Sequence, residues 1–187
     1  LKVLALDIST NTGWAILEND HLLDYGLIQV KVENFNVAQH PEKDPQYPFN
    51  MVHSADKMAV AIIQLYYRFK PGYVVVENTV KGRNRHTQRI LEFIHKSLLD
   101  LFFKMNIKPI YMDPSQWRHL LDIKLSKQDK KNNKLVRQGK KRGTISKKHL
   151  SVRVCNQIFN TTFKIKDNNI TDSILLGLAF YKSGIVK

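Results

Sequence analysis

Apolar and polar positions along this chain switch between two periods, and the switches divide it into elements. Val3-Leu4-Ala5-Leu6 is a short apolar run closed by Asp7, and Trp14-Ala15-Ile16-Leu17 is a second. The polar cluster Ser9-Thr10-Asn11-Thr12-Gly13 lies between them, which predicts two strands joined by a tight turn. Asn19-Asp20 marks another turn, and Leu22 to Val32 reads as a third strand in which Gly26 permits a bulge or a close approach. The three strands are expected to form an antiparallel meander. Pro41, Pro45 and Pro48 make residues 33–49 an irregular connection. From Asn50 to Phe69 the period changes: Met51, Ala55, Met58, Ala59, Ile62 and Tyr66 recur at three and four, an amphipathic helix stopped by Lys70-Pro71-Gly72.

The run Tyr73-Val74-Val75-Val76 is apolar at every position, as in a strand buried on both faces, and like the first strand it ends in a carboxylate, Glu77. A second helix follows over His86 to Met105. Its apolar set is too wide for one stripe, which implies either a partner helix, as in another subunit, or a place inside the chain's own core. Ile110-Tyr111-Met112 is a short fifth strand, after which Asp113 is placed to cap a helix with Pro114 at its first position. A further helix begins after Thr144 or Ser146, with Val152, Cys155, Ile158 and Phe159 on its inner face. The last helix runs from Asp167 to Tyr181 and is apolar apart from its entry, Asp167-Asn168-Asn169-Ile170-Thr171-Asp172. Helical geometry puts Asn168 and Asn169 within about 60° of Asp172 and Asp167 about 140° away.

Charge sharpens this picture. The 187 residues carry 30 Lys and Arg against 16 Asp and Glu, a net +14, and eleven of those cations lie between Lys124 and Lys148 against Asp129 alone. That stretch, with Gly139 and Gly143 as breaks, reads as a basic, mobile insertion at about 124–148 in a single domain, ordered by a polyanion. A solvated loop without a partner is the bland alternative. Lys81, Arg83 and Arg85 form a second basic turn after Glu77. With Lys130, Lys131, Lys140, Lys141, Arg142, Lys147 and Lys148 they are the candidate nucleic-acid contacts. The single cysteine excludes an internal disulfide and a multi-cysteine zinc site, and implies a reducing, cytoplasmic setting. No leader pattern or apolar run of about 18 residues occurs, so neither a signal peptide nor membrane association is expected, and the start at Leu1 points to processing.

Asp7, Glu77 and Asp172 each end or enter an apolar element, and each either carries chemistry or merely caps a turn or helix. Gathered at one sheet edge, hard oxygen ligands without His or Cys would suit Mg²⁺ or Mn²⁺, and with a polycationic segment they suggest two-metal phosphodiester chemistry.

The order of these elements resembles the ribonuclease H-like superfamily and, within it, the RuvC family of Holliday-junction resolvases, especially its compact phage and viral members. The residues that carry the resemblance are Leu6-Asp7-Ile8-Ser9 with Thr12-Gly13-Trp14-Ala15, then Val74-Val75-Val76-Glu77-Asn78 with Asn84, and finally Ile170-Thr171-Asp172-Ser173-Ile174-Leu175-Leu176-Gly177. The resemblance implies an α/β fold, with a mixed five-stranded sheet flanked by helices. It further implies a homodimer, paired across the helix after Glu77, that binds branched DNA and resolves four-way junctions by paired nicks. Asp7, Glu77 and Asp172 would hold two Mg²⁺ ions, with Mn²⁺ able to substitute, and the junction-resolving activity would be that of an endodeoxyribonuclease. Family members place an Asp or His three residues before the last acid. Here that position is Asn169, or Asn168 in a shifted alignment, so catalysis is expected to be weaker unless Asn169→Asp restores the charge. A broader flap, Y-form and fork nuclease, or a junction-binding form impaired in catalysis, are the alternatives. No aromatic wedge stands between Asn78 and Arg85.

Overall fold

The computed structural model describes residues 1–30, 48–78, 85–139 and 142–185. Its core is a five-stranded sheet of β1 (Lys2–Asp7), β2 (Asn11–Glu18), β3 (His21–Gln29), β4 (Tyr73–Glu77) and β5 (Ile110–Met112), in the order β3-β2-β1-β4-β5. The first three strands are the expected antiparallel meander, and β4 and β5 run parallel to β1. A mixed sheet with helices on both faces is thus the fold. The irregular connection expected over 33–49 lies outside the described residues except at its end.

Because β1 is central, its residues alternate between two cores. Leu4 and Leu6 join Trp14 and Ile16 beneath α1 (Phe49–Phe69) and α2 (Arg85–Lys104). Val3 and Ala5 join Ala15, Leu17 and Val75 beneath α3 (Pro114–Leu120), α5 (Lys147–Phe159) and α6 (Asn168–Lys182). This double burial explains why the β1 and β4 sequences are continuously apolar. The same face of β1 that carries Val3 and Ala5 must carry Asp7, and the face of β4 that carries Val75 must carry Glu77. Leu6 pairs with Val76, so the register brings Asp7 beside Glu77 on adjacent strands about 4.8 Å apart.

The width of α2 is largely absorbed within the chain. Ile90, Ile94, Leu98 and Phe102 form a buried stripe against α1, Phe93 and Leu101 flank it, and Ser97 donates to Asp56 of α1 at 2.7 Å, while Phe103 is exposed. Gly26 serves a close approach: a Cβ there would lie 2.9 Å from the Trp14 indole, and the irregularity in the β2–β3 ladder falls at Ile16/Leu17 instead. The basic stretch is not a plain loop, since α4 (Lys127–Arg137) lies within it. On α5, Leu150, Ser151, Val152 and Cys155 are buried, whereas Ile158, expected on the inner face, is exposed at the end of the helix. Among the described residues no helix is long and apolar enough to cross a membrane.

Candidate active site

The turn after β1 is closed without help from Asp7. Thr12 donates its hydroxyl to the Ser9 carbonyl at 2.6 Å and accepts from Ser9 N at 3.1 Å, while Ser9 Oγ accepts from Asn11 N at 3.0 Å. The capping alternative for Asp7 is therefore taken up by Ser9 and Thr12.

Gly13 explains how α6 reaches this edge. A Cβ at Gly13 would stand 1.9 Å from the carbonyl oxygen of Asn169, a backbone atom that cannot rotate away, so only glycine lets the start of α6 lie on β2. Asn169 then donates its amide to Asn11 O at 2.6 Å and Ser9 Oγ at 3.2 Å, binding helix to turn. Three residues on, Asp172 enters the buried part of the helix, 5% exposed, between the buried Thr171 and Ser173 and ahead of the apolar run from Ile174. Asp7, Glu77 and Asp172 are thus brought into one electrostatic unit.

Each acid is raised above its ordinary range. Burial is the first cause for Asp7, followed by repulsion from Glu77 and then Asp172, with Arg118 and Lys148 opposing. Burial and then the Asp172 charge push Glu77 up to about 7, against the Trp117 hydrogen bond and Arg118. Burial raises Asp172 also, opposed by the Ser151 hydroxyl, Arg118 and Lys148. Of these only Arg118 closes on Asp172 within hydrogen-bond geometry, at 3.3 Å; Ser151 donates to the Lys147 carbonyl.

Two residues that sequence reading passed over complete the cluster. Trp117 is fully buried in α3 and donates its indole N–H to Glu77 at 2.7 Å, fixing that carboxylate. Arg118 stacks on the Trp117 ring at 4.2 Å and turns its other side to Asp172. Nothing in the pattern marks Arg118, because an arginine in a short helix is ordinarily solvated; only its burial beside an acid distinguishes it. Asp113 does stand at the N-cap of α3, yet its side chain accepts from Asn78 at 2.8 Å rather than from the helix, so it ties the end of β4 to α3.

Whether these residues suit a divalent ion is a question of charge and of geometry. The donors are all oxygen, they repel one another, and Asp172 Oδ1 is buried without a hydrogen-bond partner, which fits a hard cation. Among the described residues no three His, Cys, Asp or Glu side chains are drawn closely enough together to enclose an ion, and the positive charge facing Asp172 comes from Arg118.

The remaining candidates divide. Lys130, Lys131, Arg142, Lys147, Lys148 and Arg85 are exposed, and Lys148 also bears on Asp7 and Asp172. Lys81, Arg83, Lys140 and Lys141 lie outside the described residues, as does the rest of the stretch 79–84 after Glu77.

No protein-family model and no curated protein sequence matches the chain. Solved structures do resemble it. Thermus thermophilus RuvC, bound to a Holliday junction substrate, superposes with a TM-score of 0.64 at 13% identity, covering 98% of this chain and 95% of that one. A second Thermus thermophilus RuvC structure gives 0.64 at 12% identity over the same shares. The yeast mitochondrial Holliday junction resolvase gives 0.55 at 14% identity over 96% of this chain and 77% of that one. The chain therefore shares the RuvC fold.

Proposed function

We propose that this protein is a metal-dependent endonuclease that resolves four-way DNA junctions by paired nicks. The observation that carries the reading is the convergence of Asp7, Glu77 and Asp172 at one end of the sheet, where burial raises all three pKa values and neighbouring carboxylates raise those of Asp7 and Glu77 further, as at catalytic sites. The shared fold with RuvC and a net +14 support it. By their oxygen chemistry Asp7, Glu77 and Asp172 are the residues that would hold Mg²⁺, or Mn²⁺ in its place, two ions per site, with the carboxylates drawing closer together around them than they stand here. When bound, the ions supply activation of the attacking water and neutralisation of the leaving oxygen.

The chain's own groups do the rest. Trp117 holds the Glu77 carboxylate in one rotamer. Arg118, anchored on the Trp117 ring and donating through Nη1 to the Pro114 carbonyl at 3.3 Å, keeps a fixed positive charge beside Asp172 that also suits a phosphate oxygen. Lys148, at the start of α5, adds a second cation facing the acids. Two such sites are needed for paired nicks, and a homodimer formed through the exposed side of α2, where Phe103 is 63% exposed, would supply them.

The test is incubation of a labelled four-way junction, a flap, a fork, a linear duplex and an RNA–DNA hybrid with the protein and Mg²⁺. Symmetric nicks in the junction alone are expected. Cleavage of flaps and forks at equal rates would instead favour the broader branched-DNA nuclease, and binding without nicks in Mg²⁺ or Mn²⁺ would favour the impaired form that Asn169 suggests.

A further inference from the structure

The cations between Lys124 and Lys148 do not form a uniform cloud. At about 100° per residue, Lys127, Lys130, Lys131, Lys134 and Arg137 of α4 fall within about 120° of arc along about 15 Å of helix. All five are exposed. Asp129 and Asn133, one turn apart on another side of the helix, are buried at 4% and 9% exposure.

Those two residues dock the helix. Asp129 takes both arms of the Arg153 guanidinium, at 3.0 and 3.2 Å, and closes a capping box with Ser126, accepting from Ser126 N at 3.1 Å while its own N–H donates to Ser126 Oγ at 3.0 Å. Asn133 donates to Ile145 O at 2.9 Å and accepts from Ile145 N at 2.8 Å, as a neighbouring strand would. Arg153 belongs to α5, and Ile145 precedes its N-cap, Ser146. The only acid in the stretch thus puts no charge on the exposed arc. Its partner helix begins with Lys147 and Lys148, beside a cleft of about 250 Å³ that Arg118, His119, Lys124 and Lys147 help to line.

We propose that α4 is a preformed phosphate-binding arm. Its exposed cations follow the backbone of a DNA duplex, and Asp129, Asn133 and Arg153 are positioning residues that hold this arc at a set angle to the acidic cluster through α5. The inference rests on the DNA-binding half of the reading above. It differs from an insertion ordered only by its ligand, because the contacts that dock α4 are all made within the chain.

The experiment measures binding of a linear duplex by fluorescence anisotropy across KCl concentrations in EDTA, with the full chain and three variants whose melting is followed by circular dichroism. Asp129→Asn removes one negative charge, so charge alone would tighten binding. Positioning instead requires weaker binding and a shallower slope of log affinity against log salt, by roughly 0.9 for each phosphate that the arm no longer neutralises. Asn133→Ala and Arg153→Lys leave net charge unchanged and are expected to shift the slope the same way, by less. Should Asp129→Asn fail to fold, these two carry the test. Slopes equal to that of the unmodified chain in the folded variants, or tighter binding by Asp129→Asn, would overturn the proposal. An unmodified chain that binds duplex without salt dependence would overturn it as well. Absence of junction nicking with these slope differences intact would remove the nuclease reading and leave the arm standing.

Discussion

Asp172 and Asp129 are both buried and both face an arginine, yet they stand at opposite electrostatic extremes. Asp129 has two guanidinium bonds and a capping box, and Arg153 followed by Ser126 holds its carboxyl down at about 2. Asp172 has one bond at 3.3 Å, one oxygen without a partner, and two other carboxylates in range, and burial raises its pKa. The first arrangement gives each carboxylate oxygen at least one donor. The second shares one arginine among three acids. A buried pair strengthens a structure when its hydrogen bonds are complete and weakens it when they are not. That contrast separates scaffold from site here: the basic arm is internally complete, whereas the acidic cluster lacks positive charge.

The sharpest way to break the comparison is the same substitution on both sides. Asp7→Asn removes one of three repelling charges with little change of shape. Cleavage is expected to fall by more than the roughly 10–100-fold typical of residues that merely orient a ligand. Junction affinity in Ca²⁺ should persist, and the Tm at pH 7.5 in EDTA should rise. Asp129→Asn should lower the Tm by several degrees. Thermal melts of the pair check this, and shifts of the same sign would erase the distinction drawn between the two regions.

Next in size is Arg118→Gln, which removes the cation bonded to Asp172, leaves Lys148 still facing Asp7 and Asp172, and is expected to cost about 3–5 kcal/mol at pH 8 without divalent ions. Its pH dependence has a definite sign. Glu77 keeps its proton up to about pH 7 in the folded chain but loses it near 4.5 when unfolded, so the folded state binds more protons and this contribution to stability falls as pH rises from about 4.5 to about 7. The fall should be steeper in the variant. Millimolar Ca²⁺ should restore Tm more at pH 8 than at pH 5, because a cation favours the ionised acids. Denaturation series at both pH values decide the matter, and a Tm that climbs across this window would contradict the assigned shifts.

The smallest effect is expected from Asn169→Asp. Its amide donates to Asn11 O at 2.6 Å, so a carboxylate there would face a carbonyl and lose about 1 kcal/mol. Chemical denaturation measures that loss. A lower Mg²⁺ requirement for cleavage alongside it would show that the side chain leaves the turn and joins the acids.

Much of this molecule was legible in its sequence because local pattern reports local environment. Unbroken apolar runs ending in Asp7 and Glu77 identified central strands, and a late helix apolar on every side identified one buried between layers. Asp7, Glu77 and Asp172 could be picked out since an acid interrupting such sequence is costly wherever it sits. The helix in the basic stretch was less visible, because lysine repeats suit a helix and a solvated coil alike and Asp129 read as the odd acid in a cationic run. Only the tertiary structure decided that Asp129 is buried on Arg153, that Gly13 must be glycine because the backbone of Asn169 rests on it, and that Asn169 serves the turn after β1. It alone brought Arg118 and Trp117 to the acids. These are contacts between residues 24 to 160 positions apart, and their geometry depends on how helices settle on a twisted sheet. No periodicity encodes that: the chain by itself determines which faces must be buried, and the packing of whole layers determines which polar groups meet there.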